Sequence, residues 1–335
     1  MRPPAPRANP ALYGHTAAEA TLADALAGGR LHHAWLITGP PGIGKATLAF
    51  RFARRLLAGG NSPGLAVPAE SRVFARVAAG THADLLTIER AWNPKTKKIS
   101  SMIVVEEARR IGGFLHLTPA EGGWRVVVID GVEEMNPSAA NAVLKLLEEP
   151  PPRAVLLLVS HAPGRLLPTI RSRCRRLALS PLDEPTMDGV LARWLPEMDE
   201  TARGKLVTLA DGAPGRALAL AAGQALTLSA LVDEVLAGGH GPQEAHAVAD
   251  KLGRDEDAFS TFMDLLRAGL AAAVRDAARG RADPDQARLL GMRPLDAWVD
   301  VWHALSRLQD DTEGAFMDKR QAIVSGLAML ASRTG

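Results

Sequence analysis

Gly39-Pro40-Pro41-Gly42-Ile43-Gly44-Lys45 places three glycines and a lysine at the spacing that cradles phosphate. Glycines at 39, 42 and 44 let successive backbone N–H groups curl around phosphate oxygens with no Cβ in the way. Lys45 supplies a point charge for the outer phosphates, and a helix starting there turns its positive dipole end toward them. One position departs from the pattern. The residue after the lysine should carry a hydroxyl to hold Mg²⁺, and here it is Ala46, followed by Thr47. One residue along a helix rotates a side chain by about 100°, so Thr47 does not simply take over. The loop reads as a site for ATP or ADP whose metal-assisted hydrolysis is compromised.

A second acidic element follows. Arg125-Val126-Val127-Val128-Ile129-Asp130 reads as a buried strand ending in a carboxylate, which beside a phosphate loop orients Mg²⁺ through water. A working hydrolase of this kind needs a general base next to it, but the next residue is Gly131. Glu133 and Glu134 lie close in sequence and read as solvated loop charges.

Such a site requires a parallel α/β sheet. Strands are expected at His33–Thr38, Asp84–Glu89, Arg125–Ile129, Ala154–Ser160 and Cys174–Leu179, separated by helical stretches. The helix after the loop carries Leu48, Phe50 and Phe52. Three blocks result: an α/β domain over 1–179, a small helical domain over 180–225 and an all-α domain over 226–335. Loops are expected at Ala58–Pro68, at Trp92–Lys98 with its three lysines, at Gly238–Pro242 and at Arg279–Pro284. A length of 335 residues suits two to three domains.

With 47% hydrophobic and 23% charged residues the composition is globular, and a net charge of +2 excludes a polybasic nucleic-acid coat. One cysteine, Cys174, excludes an internal disulfide and any zinc site built on two thiolates of this chain. Met1–Pro10 lacks the apolar core of a signal peptide. The apolar stretch Ala217–Val232 is interrupted by Gly223, Gln224, Thr227 and Ser229, and reads as buried helix rather than a membrane span. A reducing, cytoplasmic setting is expected.

Asn141-Ala142-Val143-Leu144-Lys145-Leu146-Leu147-Glu148-Glu149-Pro150-Pro151, followed by Ser172-Arg173-Cys174, resembles bacterial DNA polymerase III clamp-loader subunits of the AAA+ superfamily. The likeness runs from Gly14 to the C-terminal helices. The motor type of the family would have Gly-Lys-Thr, Asp-Glu and a four-cysteine zinc module, none of which is present. The delta-prime branch, which keeps Ser-Arg-Cys beside an eroded ATP site, fits better. Asp211–Leu218 is similar to that family's second sensor region, and Asp318–Ala322 to its C-terminal segment. No zinc site carries over.

The resemblance implies a role for each residue. Arg173 becomes an arginine finger acting in trans on a neighbour's γ-phosphate; apart from the motif it belongs to a basic cluster with Arg165, Arg171, Arg175 and Arg176. Gly39, Gly42, Gly44, Lys45, Thr47 and Asp130 become the nucleotide site. Ser160 is either the first sensor or a hydroxyl capping the turn after its strand. Arg216 is either the second sensor or a packing residue at a helix start. Cys174 reads as a small buried residue, His32, His33 and His82 as structural, and Trp298 and Trp302 as sharing one helix face.

The fold implied is an AAA+ five-stranded parallel sheet, a helical lid and a helical collar. The implied activity is loading of the β sliding clamp onto primed DNA, in a hetero-pentameric ring with gamma/tau and delta subunits, as a component of the polymerase holoenzyme with little or no ATPase of its own. An active motor subunit is the alternative, and a DNA-gripping module has little support from one tyrosine and a charge of +2.

Overall fold

Val126 to Ile129 and Val155 to Val159 offer no polar face, as strands covered on both sides must. In the computed structural model both lie at the centre of a five-stranded parallel sheet. The structure describes residues 4–29, 31–60, 63–93, 98–121, 123–237, 242–253, 256–282, 284–314 and 317–332. In chain order the strands are β1 (Ala34–Thr38), β2 (Leu85–Ile88), β3 (Trp92–Asn93), β4 (Lys98–Ile99), β5 (Arg125–Asp130), β6 (Ala154–Ser160) and β7 (Arg175–Ala178). The sheet order is β2-β5-β6-β1-β7, so all five expected strands form, with β1, β2 and β7 shorter by one residue at one or both ends and β5 longer by Asp130.

The stretch Trp92–Lys98, expected as loop, instead pairs its ends. β3 and β4 form an antiparallel hairpin with Trp92 opposite Ile99, while residues 94–97 between them lie outside the described residues. The expected loop at Gly238–Pro242 lies outside them except for Pro242, as do Asn61 and Ser62 of the first loop and Asp283 of the last.

Alternating strand residues face opposite sides of the sheet. Trp35, Ile37, Val126, Val128, Val155, Leu157 and Val159 join one core with α1 (Thr16–Ala27), α2 (Lys45–Ala58) and α3 (Arg72–Ala78). Ala34, Leu36, Val127, Ile129, Leu156 and Leu158 join a second core with α4 (Val105–His116), α5 (Pro137–Glu148) and α6 (Pro168–Ser172). This is a three-layer body, and α7 (Glu184–Trp194) completes its run of helices. It comprises Met1–Glu197 together with Asp211–Arg216.

The residues ahead of α1 form a strap on α2. Arg54 donates to the carbonyls of Arg7 (2.8 Å) and Asn9 (2.7 Å), and Arg51 to that of Pro10 (2.6 Å). Arg54 is only 1% exposed, and its guanidinium lies 4.6 Å from the centre of the Phe74 ring. Burial pulls its pKa down to about 10.

The second body comprises Met198–Ala210 and Ala217–Gly335 and is all-α among the described residues. Its helices are α8 (Glu200–Ala210), the end of α9 (Pro214–Ala222), α10 (Ala225–Leu236), α11 (Pro242–Leu252), α12 (Glu256–Ala278), α13 (Pro284–Leu290), α14 (Ala297–Gly314) and α15 (Lys319–Ala331). Phe259, Phe262, Met263, Leu266 and Leu270 give α12 a buried stripe at helical spacing. Trp298 is fully buried and donates to the Leu290 carbonyl, while Trp302, one turn on, donates to that of Arg267. No single described helix is long and apolar enough to cross a membrane.

Candidate functional site

The register aligns the carboxyl ends of the central strands, with Thr38 beside Ser160 and Asp130 beside Val159. Crevices at such strand ends are where open parallel sheets bind ligands. From Thr38 the chain turns through Gly39 (φ 150°), Gly42 (φ 76°) and Gly44 (φ 110°) into α2. Gly42 is required twice over. Its φ is left-handed, and a Cβ there would sit 2.7 Å from the backbone nitrogen of Arg216. The contact is a docking of backbone on backbone, in which the Gly215 N–H donates to the Gly42 carbonyl at 2.8 Å. On the other flank, buried His15 donates through Nε2 to the Ile43 carbonyl at 2.9 Å.

Lys45 is 6% exposed, and its Nζ donates to the carbonyls of Gly39 and Pro40, both at 2.7 Å. Burial lowers its pKa, and the carboxylates of Asp130 and Glu133 oppose that shift. Thr47 is buried and Ala46 half-buried. The glycine loop and Lys45 fit a nucleotide's phosphates. Mg²⁺ finds no hydroxyl at 46, and no group of three or more His, Cys, Asp or Glu suited to a metal occurs among the described residues.

Asp130 ends β5 with its carboxyl pKa raised, chiefly by burial and then by Glu89, with Lys45 opposing. Gly131 has φ 77° and ψ 50°, and a Cβ built on it would lie 2.4 Å from Oε2 of Glu134. Glu134 in turn accepts from Arg90 Nε at 3.0 Å.

Glu133 is not the solvated charge expected from sequence. A short 3-10 turn, Val132–Glu134, folds it back onto the end of β6, where its side chain is 1% exposed. Its Oε1 accepts from the backbone N–H groups of His161 (2.8 Å) and Ala162 (3.1 Å) and from His161 Nδ1 (2.7 Å). Burial alone would raise the Glu133 pKa, but these donors outweigh it and hold the carboxyl below its ordinary value. Glu133 thus takes the capping role that was one reading of Ser160. The Ser160 hydroxyl is fully buried beside the Glu133 carboxylate and caps no backbone group. Arg216 lies half-buried at the start of α9, and its side chain has no hydrogen-bond or ion-pair partner among the described residues.

Arg173 caps the C-terminus of α6. Its NH2 pairs with Glu148 Oε1 at 2.8 Å, and its NH1 donates to the Thr169 carbonyl at 3.1 Å. Nothing among the described residues bonds it to the phosphate loop. Two of its basic neighbours have partners of their own: Arg175 lies over the Trp35 ring at 4.8 Å, and Arg176 reaches the Thr38 hydroxyl at 3.5 Å. Burial pushes the Cys174 thiol up to about 12, which suits an inert packing residue. His33 donates to the Leu147 carbonyl, His32 Nδ1 lies 2.8 Å from that of Ala34, and His82 accepts from the Asp84 N–H, all within the framework. Sequence reasoning missed His15, Glu133 and Glu148. No periodicity marks the first two, whereas Glu148 lies within the Leu-Leu-Glu-Glu-Pro-Pro motif.

Comparison with known proteins is consistent along the α/β body. The family model described as DNA polymerase III, delta subunit matches residues 14–183, half of the chain. The DNA polymerase III subunit delta' of Pseudomonas aeruginosa is 40% identical over 190 residues, 56% of each chain. That of Escherichia coli is 35% identical over 196 residues, 57% of this chain and 55% of the other. The tau/gamma subunit of Haemophilus influenzae is 31% identical over 252 residues, 74% of this chain and 33% of that one. The chain therefore spans about half the length of the first two curated relatives it matches.

Proposed function

The chain belongs to the family described as DNA polymerase III, delta subunit, and from that premise we propose that it is a delta-prime-type subunit of the replicative clamp loader. In this reading it joins gamma/tau and delta subunits in a five-membered ring in the cytoplasm. The ring places the β sliding clamp on primed DNA. Residues 1–179 act as the AAA+ domain, 180–225 as the lid and 226–335 as the collar.

The observation that carries the proposal is the local geometry at Gly131. The left-handed backbone and the Glu134 carboxylate pressed against it leave no room for a base at the position a motor would need one. Ala46 removes the metal's hydroxyl at the same site. Gly39, Gly42, Gly44 and Lys45 would hold the phosphates of ATP or ADP, with Lys45 releasing the carbonyls of Gly39 and Pro40 to do so. In this reading Thr47, Asp130, Ser160 and Arg216 would complete the nucleotide site. A bound nucleotide would supply charge that orders the loop, and the chain would turn it over slowly or not at all. Its contribution to catalysis would be Arg173, offered to a neighbour's γ-phosphate as a planar, permanent cation.

Assays of the isolated chain and of the reconstituted loader test this. Calorimetry of the purified chain with ATP, with and without Mg²⁺, followed by a turnover assay, should show no binding or binding without turnover. Clear Mg²⁺-dependent turnover would make the chain a motor and overturn the proposal. In the reconstituted loader, Arg173→Ala should leave assembly intact and lower DNA-stimulated ATPase by about 10³-fold at the affected site, while Lys45→Ala should leave loading near normal. Full ATPase activity with Arg173→Ala would remove the finger role.

A further inference from the structure

The two motifs that single out this sequence, the Leu-Leu-Glu-Glu-Pro-Pro run and Ser-Arg-Cys, lie at the ends of α5 and α6, and an ion pair links them. Arg173 NH2 meets Glu148 Oε1 at 2.8 Å, and the same guanidinium donates to the Thr169 carbonyl of its own helix. Both contacts fold Arg173 back onto its own subunit.

Glu148 is badly placed for its own helix. It is the last residue of α5, with Glu149 as C-cap, so two carboxylates stand where the helix dipole is negative. Lys or Arg is the residue such a position favours. A local rule broken without local gain points to a role elsewhere, and the bonded partner of Glu148 is Arg173. The pair is partly open, with side chains 35% and 50% exposed, so a competing anion can reach the guanidinium.

We propose that Glu148 is a positioning residue that parks Arg173: its carboxylate holds the guanidinium folded back until a phosphate from a neighbouring subunit takes its place. The inference rests on the finger reading above and deepens it. Carboxylate and phosphate both accept the same planar fork of N–H donors, so the exchange swaps one charge-assisted pair for another. The arginine stays ordered while waiting.

Glu148→Gln keeps the shape and one acceptor but removes the charge. In the reconstituted loader we expect it to lower the KM for ATP by about two- to five-fold, the weight of one exposed ion pair, with kcat nearly unchanged. Glu148→Asp, which keeps the charge, should stay closer to wild type. In the isolated chain, phenylglyoxal should modify Arg173 several-fold faster in Glu148→Gln, read by peptide mass spectrometry. Arg173→Ala is the control for the finger itself. If Arg173→Ala lowers turnover but Glu148→Gln moves neither KM nor Arg173 reactivity, the parking role is wrong and the finger stands. If Arg173→Ala has no effect, both fall. A Glu148→Gln loader with lower kcat and unchanged KM would make Glu148 a support of the active geometry and overturn the proposal.

Discussion

Gly131→Ala is the sharpest probe of why this site lacks a base. Its backbone has φ 77° and ψ 50°, and a non-glycine residue held there costs about 1–2 kcal/mol. The added Cβ would fall 2.4 Å from Oε2 and 2.9 Å from Cδ of Glu134, so that side chain must swing away. In moving it gives up its 3.0 Å pairing with Arg90, an exposed contact of about 0–1 kcal/mol. The expected loss for Gly131→Ala is therefore about 1–3 kcal/mol. Removing the obstruction first, in Glu134→Ala, should reduce the cost toward the backbone strain alone. Urea titrations of the four proteins in this double-mutant cycle, followed by circular dichroism, give the comparison. A loss below about 0.5 kcal/mol would refute the strain argument. A loss of 3 kcal/mol in both backgrounds would refute the part assigned to Glu134. The same geometry predicts that Ala46→Thr combined with Gly131→Glu restores no turnover, because the new carboxylate would be built on strained backbone against an existing one.

Three further outcomes follow from burial and charge. Asp130 has a folded pKa above its ordinary 3.8, so the ionised carboxylate costs stability at neutral pH. Asp130→Asn should raise the melting temperature at pH 7, and the gain should fade as pH falls toward 3.8; a loss at pH 7 would contradict the sign. Cys174, at about 12 against 9.0 when free, should react with a thiol reagent at pH 8 only after denaturation. Its contribution to stability should stay flat below pH 9 and decline above it as the unfolded thiol ionises, a decline that Cys174→Ala should remove. Arg54→Met leaves the Arg7 and Asn9 carbonyls without their donor, which should cost about 1–3 kcal/mol and speed hydrogen exchange around residues 5–12. Unchanged exchange there would mean that the strap is held by other contacts.

The sheet was legible because its physics is local. Val126 to Ile129 and Val155 to Val159 are apolar without alternation, and only strands buried on both faces allow that. The phosphate loop was legible because glycine at fixed offsets has few other uses. The hairpin of Trp92 and Ile99 was not, since two-residue strands around a lysine-rich stretch leave no period to read. Glu133 was misread for a different reason. Whether a carboxylate in a turn meets water or backbone N–H groups depends on where the end of β6 passes, a tertiary fact with no sequence signature. The partnership of Glu148 with Arg173 falls between these cases. Both residues stood out within their motifs, yet only the packing of α6 beside α5 brings them together.

The strap over α2 has a consequence for the order of events on the ribosome. Its anchors lie downstream of it: Arg54 grips the carbonyls of residues 47 and 45 positions earlier. At about 5–20 residues per second, roughly 2–9 s separate the synthesis of the strap from that of its anchor. Residues 5–10 therefore wait without their arginine anchors while α2 is made. His15 reaches Ile43 over a shorter span of 28 residues, so the contact next to the phosphate loop can form before the rest of the strap closes. The anchors therefore become available from the C-terminal end of the segment backward, against the direction in which it was made.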